Sequence, residues 1–231
     1  MTNFQVIAFD ADDTLWVNEP YFQETERQFC ALLEPYLPHD EVSAALLKNE
    51  IKNIPIYGYG IKAFMLSMLE TALQVSDNQV DTTTIGKIVT LGKEMLNQEI
   101  ELLDGVEDVL ESLFGKYRLV VATKGDLLDQ ERKLQRSGLA KYFHHIEIMS
   151  EKDEASYKKL LQHLDIQADA FLMIGNSVKS DILPVLAIGG HAYHVPYHTT
   201  WALEQVENEV EHKNFKQFEY ILDLLLYDNH K

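Results

Sequence analysis

Five short, mostly apolar runs recur along this chain: VIAF (6–9), RLVVAT (118–123), HIEIM (145–149), AFLMIG (170–175) and HAYHVPY (191–197). Runs this short, with little polar alternation, fit strands buried on both faces, as in a parallel sheet. Parallel neighbours need long crossovers, and helical patterns lie between the later runs. Asp126 is placed to cap a helix that carries Leu127, Leu128 and Leu134 and closes at Ser137-Gly138. Tyr157, Leu160, Leu161 and Leu164 repeat at the i, i+3, i+4, i+7 spacing of a second helix. Ile182, Leu183, Val185, Leu186 and Ile188 form a third, with Pro184 near its start, where proline is tolerated. The expectation is an α/β fold, a Rossmann-like parallel sheet flanked by helices.

Residues 16 to 103 break that rhythm. Phe22, Phe29, Leu32, Leu33 and Tyr36, then Phe64, Met65, Met68 and Leu69, then Ile85, Ile88, Met95 and Leu96 keep helical spacing with no strand between them. An all-helical domain inserted after the first strand accounts for this. The core is then residues 1–15 and 104–231, with Asp104-Gly105 marking the return.

The totals narrow the function classes. A chain of 231 residues with 46% hydrophobic and 25% charged residues can bury a real core. Its formal charge of −17 argues against nucleic acid or an anionic membrane as partner, since both need basic patches. A site for an anionic substrate must therefore reverse the general field locally. The one cysteine, Cys30, excludes an intramolecular disulfide framework and a cysteine-based zinc site. No stretch approaches the ~18 apolar residues of a membrane span. MTNFQVIAFDAD meets acids too early for a secretion signal, so the chain reads as cytoplasmic. Its oligomeric state is not legible.

Ligands of open parallel sheets bind at the carboxyl ends of the strands. The first strand delivers Asp10, with Asp12, Asp13 and Thr14 in the turn beyond. The second ends in Thr123-Lys124-Gly125, the third is followed by Ser150-Glu151-Lys152, and the fourth runs into GNSVKSD, with Asn176 and Asp181. Three acids crowded at a buried strand end call for a cation among them. Acids, a hydroxyl, an amide and lysines on one edge suit a divalent cation and a phosphoryl group.

DADDT, a strand ending in Thr, a lysine and GNSxxSD, in that order, resemble the haloacid dehalogenase-like superfamily, in particular its members of phosphoglycolate phosphatase and β-phosphoglucomutase type. The resemblance spans nearly the whole chain, including the helical cap. It implies a phosphatase for a small phosphorylated metabolite, acting through an aspartyl phosphate with Mg²⁺. It makes Asp10 the nucleophile and Asp12 the acid and base, which must carry a proton in the first step, helped by neighbouring carboxylates. Thr123 and Lys152 would hold the phosphoryl oxygens. Asp10, the Asp12 carbonyl, Asn176 and Asp181 would hold the metal. Halide-releasing members resemble the same fold but lack the acid two positions on, because a departing halide needs no proton.

Some positions stay open. Asn176 stands where many members have aspartate, and Lys124 where asparagine is frequent, either as a phosphate contact or as a surface lysine. Lys158 and Lys159 compete with Lys152 for the third motif. Tyr57-Gly58-Tyr59-Gly60 is either a loop that touches the substrate or a packed turn between cap helices. His191 and His194 face opposite sides of a strand, which disfavours a shared metal, and His198 and Trp201 fit the rim or the packing. Asp13 serves the turn into the cap. Alternative functions are a phosphomutase using the same aspartyl phosphate, a phospho-accepting signalling module, or a catalytically inactive binding protein.

Overall fold

The computed structural model describes residues 4–206 and 210–228. After β1 (Val6–Phe9) come four helices, α1 (Glu19–Leu33), α2 (His39–Tyr57), α3 (Ile61–Val75) and α4 (Thr82–Asn97). Then follow α5 (Val106–Leu113), β2 (Arg118–Lys124), α6 (Leu127–Arg136), β3 (His145–Met149), α7 (Glu154–Leu164), β4 (Phe171–Gly175), α8 (Leu183–Ala187), β5 (His191–His194), β6 (Phe215–Gln217) and α9 (Asp223–Asp228). The chain divides into two compact units. One is Met1–Glu19, Ile100–Lys124 and Gln130–Lys231; the other is Pro20–Glu99 and Gly125–Asp129.

The first unit is built on a six-stranded sheet, ordered β3-β2-β1-β4-β5-β6, in which every pairing is parallel. The α/β, Rossmann-like expectation matches this architecture. β1 lies between β2 and β4, with Phe9 opposite Val121 on one side and Ile174 on the other. The chain runs outward through β2 and β3, then returns to the far side of β1. That reversal opens a crevice at the carboxyl ends of β1 and β4.

Alternate residues of each strand feed two separate cores. Ile7, Phe9, Leu119, Val121, Leu172 and Ile174 pack with Val106, Val109 and Leu110 of α5. Val6, Ala8, Val120, Ala122, Phe171 and Met173 pack with Tyr157, Leu160 and Leu164 of α7 and Val185 of α8. Both faces of β1 are thus covered, which is why its sequence shows no polar alternation. The segment leaving this unit and the one returning lie side by side: Val17 N–H donates to Glu101 O (2.9 Å) and Leu103 N–H to Leu15 O (3.1 Å).

Three elements differ from the sequence expectation. The last run, expected over 191–197, is a strand only to His194; Pro196, lacking an N–H, does not extend the ladder. β6 was not foreseen, because three residues, FKQ, carry no usable periodicity. The helix expected over 182–188 is preceded by a π-helical turn, Val178–Ile182. Pro184 cannot donate to the carbonyl of Ser180, four residues back, and the Tyr157 hydroxyl donates there instead (3.1 Å).

The second unit has its own core, centred on Phe29, Leu33, Leu46, Phe64, Met68 and Ile88, with Cys30 buried among them. Polar contacts also join α2 to α3. Asn49 donates to Thr71 (2.8 Å), Asn53 to Ser67 and Glu70 (both 3.1 Å), and Tyr57 OH to Glu70 (2.8 Å). α2 continues through Pro55, so Tyr57 is its last residue and the turn starts at Gly58, where φ is 73°.

Candidate active site

Except for Gly125, every strand-end residue singled out in the sequence lies in the first unit. Asp10 follows β1, and its N–H donates to Ile174 O (2.9 Å), which ties it to β4. Asp181 sits in the π-helical turn after β4 and is fully buried. Between them lies Lys152, buried before α7, which donates to Asp10 Oδ1 (2.5 Å) and Asp181 Oδ1 (2.6 Å). Lys158 and Lys159 are exposed on α7, so Lys152 is the third-motif lysine that the fold brings to Asp10.

The electrostatics follow from two carboxylates sharing one ammonium. Burial pushes the Asp10 carboxyl up; the Lys152 charge opposes it, Asp181 adds to it, and the result is about 7. For Lys152, burial alone would lower the ammonium, but Asp10 and Asp181 together hold it above the usual lysine range. Lys152 therefore stays charged, and the cluster keeps one uncompensated negative charge once both acids ionise.

Asp181 approaches this closely because residue 175 has no side chain. A Cβ there would lie 2.3 Å from Asp181 Oδ2, the oxygen that accepts from Ser177 N–H (3.0 Å).

Asp12 is held differently from the sequence expectation. Its Oδ1 accepts from Trp16 Nε1 (2.7 Å) and Lys133 Nζ (2.9 Å), and its Oδ2 from Gln130 Nε2 (2.7 Å). Burial pushes this carboxyl up, but the Lys133 charge and the three donors outweigh it and hold Asp12 below the ordinary range. The proton expected on Asp12 from like-charge repulsion is thus disfavoured in the free protein. Gln130 also donates to Lys124 O (2.7 Å) and Thr123 Oγ1 (3.3 Å), so one amide orders both Asp12 and the end of β2.

Asp13 takes up the turn. Its φ is 60°, and its carboxyl accepts from the N–H groups of Asn18 (2.8 Å) and Glu19 (3.0 Å), the entry to α1. Burial raises it to about 8 against those two hydrogen bonds.

The oxygen set fits a hard divalent cation. Thr14 Oγ1 lies 3.5 Å from Asp10 Oδ2 and 3.2 Å from Asn176 Oδ1. A hydroxyl has one proton and satisfies one of these oxygens at a time, so the other keeps open acceptor capacity. His194 Nε2, 3.0 Å from Asn176 O, braces that loop. Among the described residues no three His, Cys, Asp or Glu side chains group to hold a metal by themselves. Asp10, the Asp12 carbonyl, Asn176 and Asp181 instead combine carboxylate, carbonyl and amide oxygens, the ligand types Mg²⁺ takes.

Lys124 donates to Glu204 Oε1 (2.6 Å) and Ser180 Oγ (3.0 Å), so its ammonium is held within the chain. Glu204 also accepts from the hydroxyls of Ser177 and Ser180. Tyr57 and Tyr59 belong to the second unit, Tyr57 exposed and bonded to Glu70, Tyr59 half-buried. The histidines do not converge: His191 packs edge-on against Phe4, His194 braces Asn176, and His198 stacks near Tyr197. Gln130, Lys133 and Glu204 were missed in the sequence. Gln130 and Lys133 share a face of α6 at i, i+3, a spacing indistinguishable from a solvated stripe, and Glu204 carries no signal at all.

Similarity to known proteins agrees with this geometry. The family model of haloacid dehalogenase-like hydrolases matches residues 4–189. No curated protein matches the sequence. A haloacid dehalogenase-like family hydrolase from Xanthomonas campestris is 35% identical, with a TM-score of 0.87, over 98% of this chain and 91% of that one. A HAD phosphatase from Thermococcus onnurineus is 14% identical (TM-score 0.64, 97% of each chain). An L-2-haloacid dehalogenase from Xanthobacter autotrophicus is 12% identical (TM-score 0.67, 98% of each chain). The last two share the fold and differ in chemistry. A matched model over most of the chain, and acids and a lysine gathered at the carboxyl edge of the sheet, give one conclusion: the chain belongs to the haloacid dehalogenase-like hydrolases.

Proposed function

We propose that this hydrolase is a Mg²⁺-dependent phosphatase of small phosphorylated metabolites, working through an aspartyl phosphate on Asp10. The observation that carries the choice is Asp12. Phosphatase and dehalogenase share this fold at similar TM-scores, so the fold does not separate them. A proton-handling carboxyl two residues past the nucleophile serves a departing alkoxide and has no use for a departing halide.

In the first step an Asp10 oxygen attacks phosphorus, the bond to the leaving oxygen breaks, and Asp12 gives that oxygen a proton. In the second step Asp12 takes a proton from water, the water oxygen attacks phosphorus, and the bond to Asp10 breaks. Thr123 and Lys152 meet the phosphoryl oxygens. A cation held by Asp10, the Asp12 carbonyl, Asn176 and Asp181 supplies positive charge against the repulsion between phosphate and Asp10. Lys133 and Gln130 favour ionised Asp12, the form the second step needs. In the first step Asp12 has to gain a proton against them.

We assign the inserted residues 16–103 the role of a cap domain and residues 1–15 and 104–231 that of the catalytic core, and Tyr57 and Tyr59 a part in substrate binding. A small substrate follows from that assignment, because a lid closes over what it admits. No helix among the described residues is long and apolar enough to cross a membrane.

Phosphate release from p-nitrophenyl phosphate and a metabolite panel, with and without Mg²⁺, tests the reading. Release that needs Mg²⁺ and disappears in Asp10→Asn supports it. Chloride release from 2-chloropropionate with no phosphate release from any ester would overturn it.

A further inference from the structure

Around Glu204 three donors converge on one carboxylate. Lys124 Nζ lies 2.6 Å from Oε1; the Ser180 hydroxyl lies 2.6 Å from Oε2, and the Ser177 hydroxyl donates to the same oxygen. Each donor adjoins a candidate site residue in sequence: Lys124 follows Thr123, Ser177 follows Asn176 and Ser180 precedes Asp181. The donors are fixed by the sheet edge. Both serines are buried, and Ser180 N–H donates to Ser177 Oγ (3.0 Å). The acceptor sits on the three-residue turn Ala202–Glu204, which Lys179 ties down through Leu203 O (2.7 Å). A second carboxylate, Glu151, lies 3.7 Å from the same ammonium.

We propose that Lys124, Ser177 and Ser180 form an anion-holding subsite beside the phosphoryl position, that Glu204 fills it from within the chain, and that Glu204 thereby selects against substrates with a second anionic group. A fork of one ammonium and two hydroxyls suits a carboxylate or a second phosphate. With Glu204 in place, an incoming second anion meets a charge of its own sign and no free donor. Specificity of this kind comes from repulsion of the wrong ligand. The selectivity part rests on the phosphatase reading; the subsite itself does not.

Two measurements on the whole protein separate these parts. Glu204→Ala empties the subsite, and sodium formate should refill it. At tenfold its dissociation constant, formate should raise the Tm of Glu204→Ala by about 3–6 °C. Formate should leave the wild type and Glu204→Ala/Lys124→Met unshifted, as should formamide and matched sodium chloride in all three. The second measurement compares glycerol 3-phosphate with 3-phosphoglycerate, which differ by a hydroxymethyl against a carboxylate. Glu204→Ala should move the ratio of kcat/KM toward 3-phosphoglycerate by about tenfold or more, mainly through KM, the change that one lost charge repulsion of about 1.4 kcal/mol produces.

An equal formate effect in wild type and variant, or none in the variant, overturns the subsite. A ratio unchanged within twofold in active variants overturns the selectivity. If neither ester is hydrolysed, the ratio is read on a pair from the metabolite panel that is turned over and differs by a second anionic group. If no ester of the panel releases phosphate, the phosphatase reading fails, while the formate shift still decides the subsite. Should Glu204→Ala not fold, Glu204→Gln keeps the volume and removes the charge, and an unmoved ratio there overturns the proposal equally.

Discussion

Replacing Gly175 by alanine tests whether the site depends on a close approach of β4 to Asp181. The new Cβ would lie 2.3 Å from Asp181 Oδ2 and 2.4 Å from its carboxyl carbon. Ordinary contact begins near 3.4 Å, so the carboxylate has to retreat by about 1 Å. That retreat stretches the Ser177 N–H bond, now 3.0 Å, beyond hydrogen-bond length and disturbs the 2.6 Å pairing with Lys152. Overpacking a core costs about 1–3 kcal/mol, and losing a hydrogen bond to a charge about 1.5–3 kcal/mol. The two overlap, because relieving the clash is what breaks the bond; about 2–4 kcal/mol is expected. At about 2–4 °C per kcal/mol for a chain of this size, Tm should fall by about 4–16 °C. A 1 Å displacement of a positioning group can cost about a hundredfold in turnover, so phosphate release should fall by that order. Scanning calorimetry and a phosphate-release assay measure both. Gly86→Ala is the control, since a Cβ there meets nothing within 4 Å. A Gly175→Ala protein with wild-type Tm and turnover within twofold would refute the reasoning.

Lys152→Met leaves Asp10 and Asp181 buried without their shared cation. It should cost about 3–5 kcal/mol in urea unfolding at about pH 9. Without the Lys152 charge the Asp10 carboxyl rises above its wild-type value of about 7, so the variant takes up that proton first and the deficit should shrink as pH falls from about 9 toward 7. A pH-independent deficit would dismiss the charge argument. Lys133→Met removes the cation that holds Asp12 ionised, so the Asp12 carboxyl rises and the alkaline limb of kcat/KM should move to higher pH; an unmoved limb would separate Asp12 from the first step. Asp13 has a folded-state pKa raised to about 8, so the stability it contributes is present below about pH 4 and lost as pH rises toward 8. Asp13→Asn should therefore lose less stability than wild type between pH 5 and 8 in urea titrations, and parallel curves would contradict this.

The sheet was readable because its central strands are buried on both faces. Val6, Ala8 and Phe9 have no exposed surface, and such strands leave unbroken apolar runs in the sequence. Three-residue β6 at the edge leaves none. The π-helical turn was hidden for another reason: it depends on the Tyr157 hydroxyl, which reaches Ser180 O from a different helix. Within the site, residues just past strand ends could be named from order alone, since the topology forces them to one edge. Asp12 shows the limit of that logic. Its neighbours in sequence are acids, which would raise its carboxyl, but its partners in space are Lys133, Gln130 and Trp16, which lower it. Sequence proximity told which atoms meet the edge of the sheet. It did not tell what neutralises them.

The central position of β1 has a consequence for synthesis. β1 leaves the ribosome well before β4, so its β4 edge and its share of the site wait for residues made much later. Thr14 stands 162 positions ahead of Asn176, its partner across the crevice. At about 5–20 residues per second that delay is about 8–30 s, during which four wholly apolar residues lack at least one neighbouring strand. The nascent chain therefore spends that interval as a client for whatever shields exposed strands, and it acquires its acidic cluster in one late event, when β4 docks against β1.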